Sequence, residues 1–263
     1  MVDTSRFSPL ATDAWTPAGA FSPPPLALIL CDDPHADLGK LTAHRSKAAL
    51  PFAGKYRLID FALSNCVNSG IETIGVITQY RPRSLHAHLA YGRPWDLDRR
   101  EGGLTLLHPY QARIEIGWYE GSANAIHRNR DYILHYQVQE VLVLGGCEVY
   151  SADLSPLIAQ HRKTGAALTI AAVAAPGDGG QGCPTLTADV DGSVREVVPP
   201  ESTAPGPLTA MGAMLFSTDT LIQRLTDDAG QPDSTHDLFG DLIPLIIRSG
   251  DRVMAFQHSG YWG

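Results

Sequence analysis

Short apolar runs alternate with helix-period segments along most of this chain, and that alternation constrains its fold more than any other feature. The runs at Leu26–Cys31, Thr73–Thr78, Glu140–Gly145 and Ala167–Ala174 are dominated by consecutive apolar residues, the pattern of strands buried on both faces. Between them, residues 57–69 place Ile59, Ala62, Leu63, Cys66 and Val67 on one helical face, with Gly70 positioned to end the helix. That face predicts packing, and no chemistry is assigned to it. Two more helices are predicted, at 122–135 and 153–163. The second sets Leu154, Leu157, Ile158 and His161 on one face and stops at Gly165. Such alternation predicts an α/β fold, with a parallel sheet covered on both faces, right-handed connections and ligands at the carboxyl ends of the strands.

The pattern changes after Pro176. Residues 186–190 and 194–198 flank Asp191-Gly192, the sequence of a tight hairpin turn. A strand at 213–217, helices at 218–227 and 236–249, and a last strand at 253–257 complete the chain. A mainly parallel half therefore precedes a mixed, β-rich half, and no internal repeat is found. His86 and His88 fall on different sides of a predicted helix and are read as surface residues with no shared role.

Composition narrows the function classes. The chain has 263 residues, of which 44% are hydrophobic and 18% charged, enough for a sizeable core. Residues 1–25 hold Pro9, Pro17, Pro23, Pro24 and Pro25 without periodicity and read as a flexible tail, leaving 26–263 as the folded domain. A net charge of −8 with no Lys/Arg cluster gives no electrostatic basis for a nucleic-acid partner. The longest apolar run falls far short of the ~20 residues of a membrane span, and no apolar segment follows Asp3 and Arg6 as a secretion signal would. Four cysteines without C-x-x-C spacing suit buried, reduced thiols. The expectation is an acidic, soluble, cytoplasmic protein.

The loop after the first strand, Cys31-Asp-Asp-Pro-His-Ala-Asp-Leu38, has no glycine, whereas a phosphate cradle needs close backbone approach and free N–H donors. Asp32, Asp33 and Asp37 also oppose a polyphosphate, since two like unit charges ~4 Å apart repel by ~4 kcal/mol at an effective dielectric of 20. Cys31, Asp32, Asp33 and His35 offer donors for a transition metal. Ligands so crowded in sequence do not readily reach one tetrahedral centre, and a solvated acidic turn beside a buried thiol is the competing reading.

The stretch from Lys47 to Ile71, K-A-A-L-P-F-A-G-K-Y-R-L-I-D-F-A-L-S-N-C-V-N-S-G-I, resembles the ADP-glucose pyrophosphorylases (glucose-1-phosphate adenylyltransferases), within the sugar-phosphate nucleotidyltransferases. Further matching stretches follow in the same order: Thr78-Gln-Tyr80, Trp118-Tyr-Glu-Gly-Ser-Ala123, Met211-Gly212, His236-Asp237 with Asp241-Leu-Ile-Pro244, and Gly260-Tyr-Trp262. The resemblance covers residues 26–263. It implies a Rossmann-like nucleotidyltransferase domain that joins ATP and glucose 1-phosphate, giving ADP-glucose and pyrophosphate for glycogen or starch synthesis. It also implies Mg²⁺ held by aspartates across the reacting phosphates, so that catalysis is mostly positioning and charge neutralisation.

By resemblance, Lys47, Gln79, Tyr80, Trp118, Tyr119, Gly121 and Gly146 belong to a nucleotide pocket, Met211 and Gly212 to a sugar site, and Arg45 to a segment with effector contacts. Trp118 and Tyr119 read equally well as core aromatics. Other positions depart from the family. The nucleotide loop G-G-x-G-x-R-L keeps only Leu38, and the metal-binding aspartate of the G-D motif is Cys147, a poor Mg²⁺ ligand. The sugar-contacting E-K-P appears as Val198-Pro-Pro-Glu201, the serine before Met-Gly is Ala210, and the aspartate of G-T-A-D is Asn124. The sequence stops at Gly263, before the family's second metal aspartate and its left-handed β-helix.

No confident catalytic residue, metal or cofactor follows. The resemblance implies an impaired subunit that keeps a weak ATP or sugar-phosphate pocket and acts as a regulatory or structural partner, in a homo- or hetero-oligomer with a catalytic paralogue. An apolar face left without its β-helix would favour self-association. The alternative is an active adenylyltransferase using Mg²⁺ on substitute ligands, Asp153 or Asp32 with Asp33.

Overall fold

The computed structural model describes residues 23–31, 38–109, 118–175, 183–199 and 206–263. Most of the tail expected at 1–25, the acidic loop at 32–37 and residues 200–201 of the E-K-P counterpart therefore lie outside the described residues.

Strand β1 (Leu26–Cys31) is buried along its length except for the half-buried Leu30, as a strand covered on both faces requires. A short hairpin of β2 (Pro51–Phe52) and β3 (Tyr56–Arg57) leads into helix α1 (Ile59–Asn68). Helix α1 returns the chain to β4 (Thr73–Thr78), which lies parallel to β1 with Ile29 opposite Val76. Helix α2 (Arg83–Leu89) then delivers β5 (Gly103–Leu107), parallel to β4 at that edge. Helices α3 (Ser122–Arg128) and α4 (Arg130–Tyr136) carry the chain to the other side of β1, where β6 (Glu140–Gly145) pairs in parallel, Leu30 opposite Gly145. The direction of winding thus reverses at β1, and the crevice beyond its carboxyl end is where open α/β sheets bind ligands.

Helix α5 (Ser155–Thr164) leads to β7 (Leu168–Ala174), and β8 (Thr185–Ala188) forms a hairpin with β9 (Val194–Val198). Strand β10 (Leu208–Ser217), helix α6 (Thr218–Ala229), helix α7 (Ile243–Arg248) and β11 (Val253–Gln257) follow. The nine-stranded sheet runs β11-β7-β10-β6-β1-β4-β5, with β8 paired to β10 and to β9. Its two faces carry separate hydrophobic clusters, one centred on Leu28, Val143 and Phe216, the other on Ile29, Leu144 and Leu215.

The predicted strands β1, β4, β6 and β11 form within the expected bounds. Three expectations need correction. Strand β10 spans ten residues rather than 213–217 and runs antiparallel between β6 and β7, so the two expected halves share one sheet. The helix expected at 122–135 divides at Asn129, which leaves helical geometry at ψ 14° and donates from Nδ2 to the Ala125 carbonyl at 2.8 Å. The helix expected at 236–249 opens as a wide π turn over Leu238–Leu242, with α7 starting only at Ile243 beside Pro244. His86 and His88 do have separate partners, His86 the Thr78 hydroxyl at 3.2 Å and His88 the Asp60 carboxylate at 2.6 Å, but both are half-buried rather than surface residues.

Candidate functional site

The crevice at the carboxyl ends of β1 and β6 is a cleft of about 550 Å³. Its floor is backbone. The Gly146 N–H donates to the Leu30 carbonyl at 3.0 Å and prolongs the β1–β6 ladder past the strand end. A Cβ at Gly146 would lie 2.6 Å from the Cys31 thiol, so close approach demands glycine there. Opposite, Gly212 interrupts β10 at a register shift between Ala210 and Met214, with φ +74°, a left-handed conformation that favours glycine.

Two polar clasps build the wall. The Gln79 side chain, just past β4, brackets the backbone of Tyr119: its Nε2 donates to the Tyr119 carbonyl at 3.3 Å, and Oε1 accepts from the Tyr119 N–H. Tyr119 is buried, and its hydroxyl accepts from Asn129 Nδ2 at 3.0 Å. The second clasp joins the start of α3 to the π turn. Ser122 Oγ donates to Asp237 Oδ2 at 2.7 Å and accepts from the Leu238 N–H at 2.8 Å. Asp237 Oδ1 accepts from the N–H groups of Phe239 and Gly240 at 2.9 and 2.8 Å, satisfying donors that a helix start leaves open.

Lys47, Gln79, Tyr119, Gly121, Gly146, Cys147 and Gly212 all line this cleft. Tyr80, Trp118 and Met211 are not among its lining residues. Trp118 is 67% exposed, and so is no core aromatic either. Tyr80 carries the Arg81 guanidinium over its ring at 4.8 Å, and Met211 is buried with its carbonyl accepting from the Trp262 indole at 3.3 Å. Asp153 accepts from the Ser155 N–H at 2.9 Å at the start of α5, also outside the cleft lining. Arg45 lies near enough to Arg57 that, after burial, it is the next cause lowering that guanidinium's pKa.

Glu148 is the lining residue that sequence reading passed over. Its carboxylate folds back over the end of β6, where Oε2 accepts from the Cys147 N–H at 3.1 Å. A Cβ at Gly145 would overlap that carboxylate, and one at Gly212 would lie 2.9 Å from Oε1. Two missing side chains on neighbouring strands therefore make its berth. Cys183 stands close by: burial and then the Glu148 carboxylate raise its thiol pKa, while Lys47 lowers it. The signal available in the sequence was a carboxylate directly after the cysteine that replaces the G-D aspartate.

The donor set bears on the Mg²⁺ that the resemblance implies. Among the described residues no three His, Cys, Asp or Glu side chains converge as a metal cage. Cys147 offers sulfur where Mg²⁺ prefers oxygen, and Asp237 spends its oxygens on capping. Glu148 is one hard oxygen donor inside the cleft, which fits a cation shared with bound phosphates rather than one held by protein alone.

A family model described as nucleotidyl transferase matches residues 37–263. The glucose-1-phosphate adenylyltransferase of Pseudothermotoga lettingae is 43% identical over 237 residues, covering 90% of this chain and 56% of its own length. The enzymes of that name from Thermotoga neapolitana and Halalkalibacterium halodurans are 42% identical over 241 residues and 38% over 237. Each covers 90% of this chain, which in turn spans 56% and 62% of their lengths. Among the described residues no helix is long and apolar enough to cross a membrane.

Proposed function

Because this chain belongs to the nucleotidyl transferase family, we propose that it is a glucose-1-phosphate adenylyltransferase-like domain that binds nucleotide and sugar phosphate but turns them over poorly. The relatives named above carry the adenylyltransferase name, and the cleft lies at the switch point of the sheet, where this architecture binds ligands. Lys47 supplies a cation for phosphates, the clasped Gln79 and Tyr119 shape one wall, and the glycines admit close backbone approach.

One observation supports the impairment: Cys147 lines the cleft at the strand end where the resemblance implies a metal-binding aspartate. Phosphoryl transfer depends on positioning and on neutralising charge, so loss of a hard anionic ligand there removes transition-state stabilisation rather than the pocket itself. A domain that keeps its pocket with little turnover suits a regulatory or structural partner of an active relative, in the cytoplasm where sugar nucleotides are made.

The test is pyrophosphate release from ATP and glucose 1-phosphate with Mg²⁺ present. The protein as it stands is expected to release pyrophosphate far more slowly than ~1 s⁻¹, the low end of ordinary enzyme turnover. Cys147→Asp is expected to raise the rate at least ~10-fold, within the range that a single electrostatic group contributes. Turnover at an ordinary enzymatic rate by the unaltered protein would remove the claim of impairment.

A further inference from the structure

We propose that His86 and His108 form a proton-operated catch on the cleft wall: protonating the pair unseats Thr78, slackens the Gln79 hold on Tyr119 and, on the nucleotide-binding reading of the cleft, weakens nucleotide binding. Thr78 closes β4, and its buried hydroxyl is shared by two imidazoles from different elements. Nε2 of His86, on α2, lies 3.2 Å from Oγ1, and Nδ1 of His108, just past β5, lies 2.9 Å from it. The two rings also meet each other, with centroids 4.6 Å apart. The next residue in the chain is Gln79, whose side chain brackets both the N–H and the carbonyl of Tyr119. A displacement at Thr78 therefore reaches the cleft wall through one peptide bond.

Hydrogen-bond counting gives the catch its direction. A hydroxyl has one proton to donate, and a neutral imidazole has one N–H and one bare nitrogen. With both rings neutral, Thr78 donates to one ring and accepts from the other, so all three groups are satisfied. With both rings protonated, each nitrogen facing Thr78 carries a proton, and the buried hydroxyl loses its acceptor, which is costly. Two like charges then face each other across adjacent rings. The surroundings do not relieve them. Among the described residues, the hollow that His86 lines carries His44, Arg81 and Arg83 and no carboxylate. Arg57 also reaches α2, donating to the Ser84 carbonyl and hydroxyl at 2.7 and 2.9 Å. The short turns packed on α2 add Lys47 on one side, and Arg93 with its partner Asp98 on the other. Asp60 is engaged by His88, which helical geometry places on another face of α2. Strands β4 and β5 carry no charged side chain. Burial, and then His108, lower the His86 pKa, as this arrangement requires. The neutral pair is thus the resting form above the ordinary imidazole value of ~6.5, and acid drives the change.

Nuclear magnetic resonance of the unaltered protein between pH 8 and pH 5.5 tests the catch without any ligand. The Tyr119 N–H, held by Gln79 Oε1, is expected to lose hydrogen-exchange protection at least ~10-fold, relative to its intrinsic rate at each pH, as the His86 and His108 ring signals titrate. A His86→Gln, His108→Asn double variant keeps an amide in place of each bonded nitrogen but has no titrating group there, and its Tyr119 protection is expected to stay level. Protection that holds while the imidazoles titrate overturns the proposal, as does an equal loss in the double variant. Calorimetric titration with ATP at pH 7.5 and pH 6.0 then tests the coupling to the cleft. The unaltered protein is expected to lose at least ~5-fold more affinity over that interval than the double variant, a comparison in which protonation of ATP itself cancels. An equal loss in both proteins overturns the link from catch to ligand. Absence of ATP binding at pH 7.5 overturns the nucleotide reading, while Tyr119 protection still decides the catch.

Discussion

Gly121 holds two walls of the cleft together by having no side chain. It has extended backbone, φ −166°, which any residue adopts, so conformational freedom is not what it supplies. A Cβ there would overlap the carbonyls of Thr235 and His236, and the His236 carbonyl already accepts from the Ala123 N–H at 2.8 Å. Gly121→Ala must push the 235–237 turn away from α3, loosening the Ser122–Asp237 clasp. The expected loss is ~1–3 kcal/mol of stability, the usual range for overpacking, read as a lower urea midpoint together with weaker ATP binding. A variant as stable as its parent would show that the turn yields freely. Sequence comparison reached Gly121 and Cys147 because each matches or departs from a motif. It did not reach Glu148, because a motif records which residues occur and not which way a side chain folds back. Trp118 and Met211 show the converse: both sit inside matching stretches, yet one faces solvent and the other is buried in the core from within β10.

Helix α5 is fastened to the sheet through polar groups that its apolar periodicity only half announces. The face bearing Leu157, Ile158 and His161 is buried as expected, but His161 is no apolar filler. Its Nδ1 lies 2.8 Å from the Thr169 hydroxyl of β7 and its Nε2 3.4 Å from Ser217 at the end of β10. The adjacent Arg162 forms a two-pronged pair with Glu140 of β6, at 2.8 and 2.6 Å. Burial lowers the His161 pKa first of all; Glu140 opposes that shift and Arg162 adds to it. A histidine whose folded value lies below its unfolded value of ~6.5 binds more protons when unfolded, so stability falls as pH drops through that value. His86 is lowered in the same direction, by burial and then by His108. The urea midpoint should therefore decline from pH 7.5 to pH 5.5, and His161→Gln should flatten the decline; a midpoint that is level across this window would contradict the burial of these imidazoles. Elements whose burial is continuous, such as β1 and β6, were legible to the residue. Strand β5 was not foreseen, because its Gly103–Leu107 segment is mostly half-buried at the sheet edge and its apolar alternation is confined to Leu104-Thr105-Leu106.

At the scale of the molecule the decisive event is the insertion of β10 between β6 and β7. An apolar run announces burial but not direction, so alternating strands and helices suggest a parallel half followed by a mixed, β-rich half without saying how the two join. Direction is settled by long-range pairing instead: Phe216 lies opposite Val141 on one side and Leu168 on the other, both antiparallel. The same ladder carries Gly212 into the cleft, so the C-terminal part of the described chain completes a site that begins at β1. A sheet joined in this way has no half able to bury its edges alone, since removing β10 would strip a partner from each of its neighbours. The molecule should therefore unfold as one cooperative unit. Trp95, whose indole donates to Ser64 of α1 at 3.3 Å, and Trp262, which donates to the Met211 carbonyl of β10, report on elements before and after the insertion in the chain. Tryptophan fluorescence and far-ultraviolet circular dichroism should then give the same urea midpoint. Phe216→Ala, which empties a fully buried site, should lower both midpoints equally, by a loss of ~3–5 kcal/mol. Two separated transitions, or a shift confined to one signal, would mean that the parts on either side of β10 fold independently and that the cleft joins two units rather than lying within one.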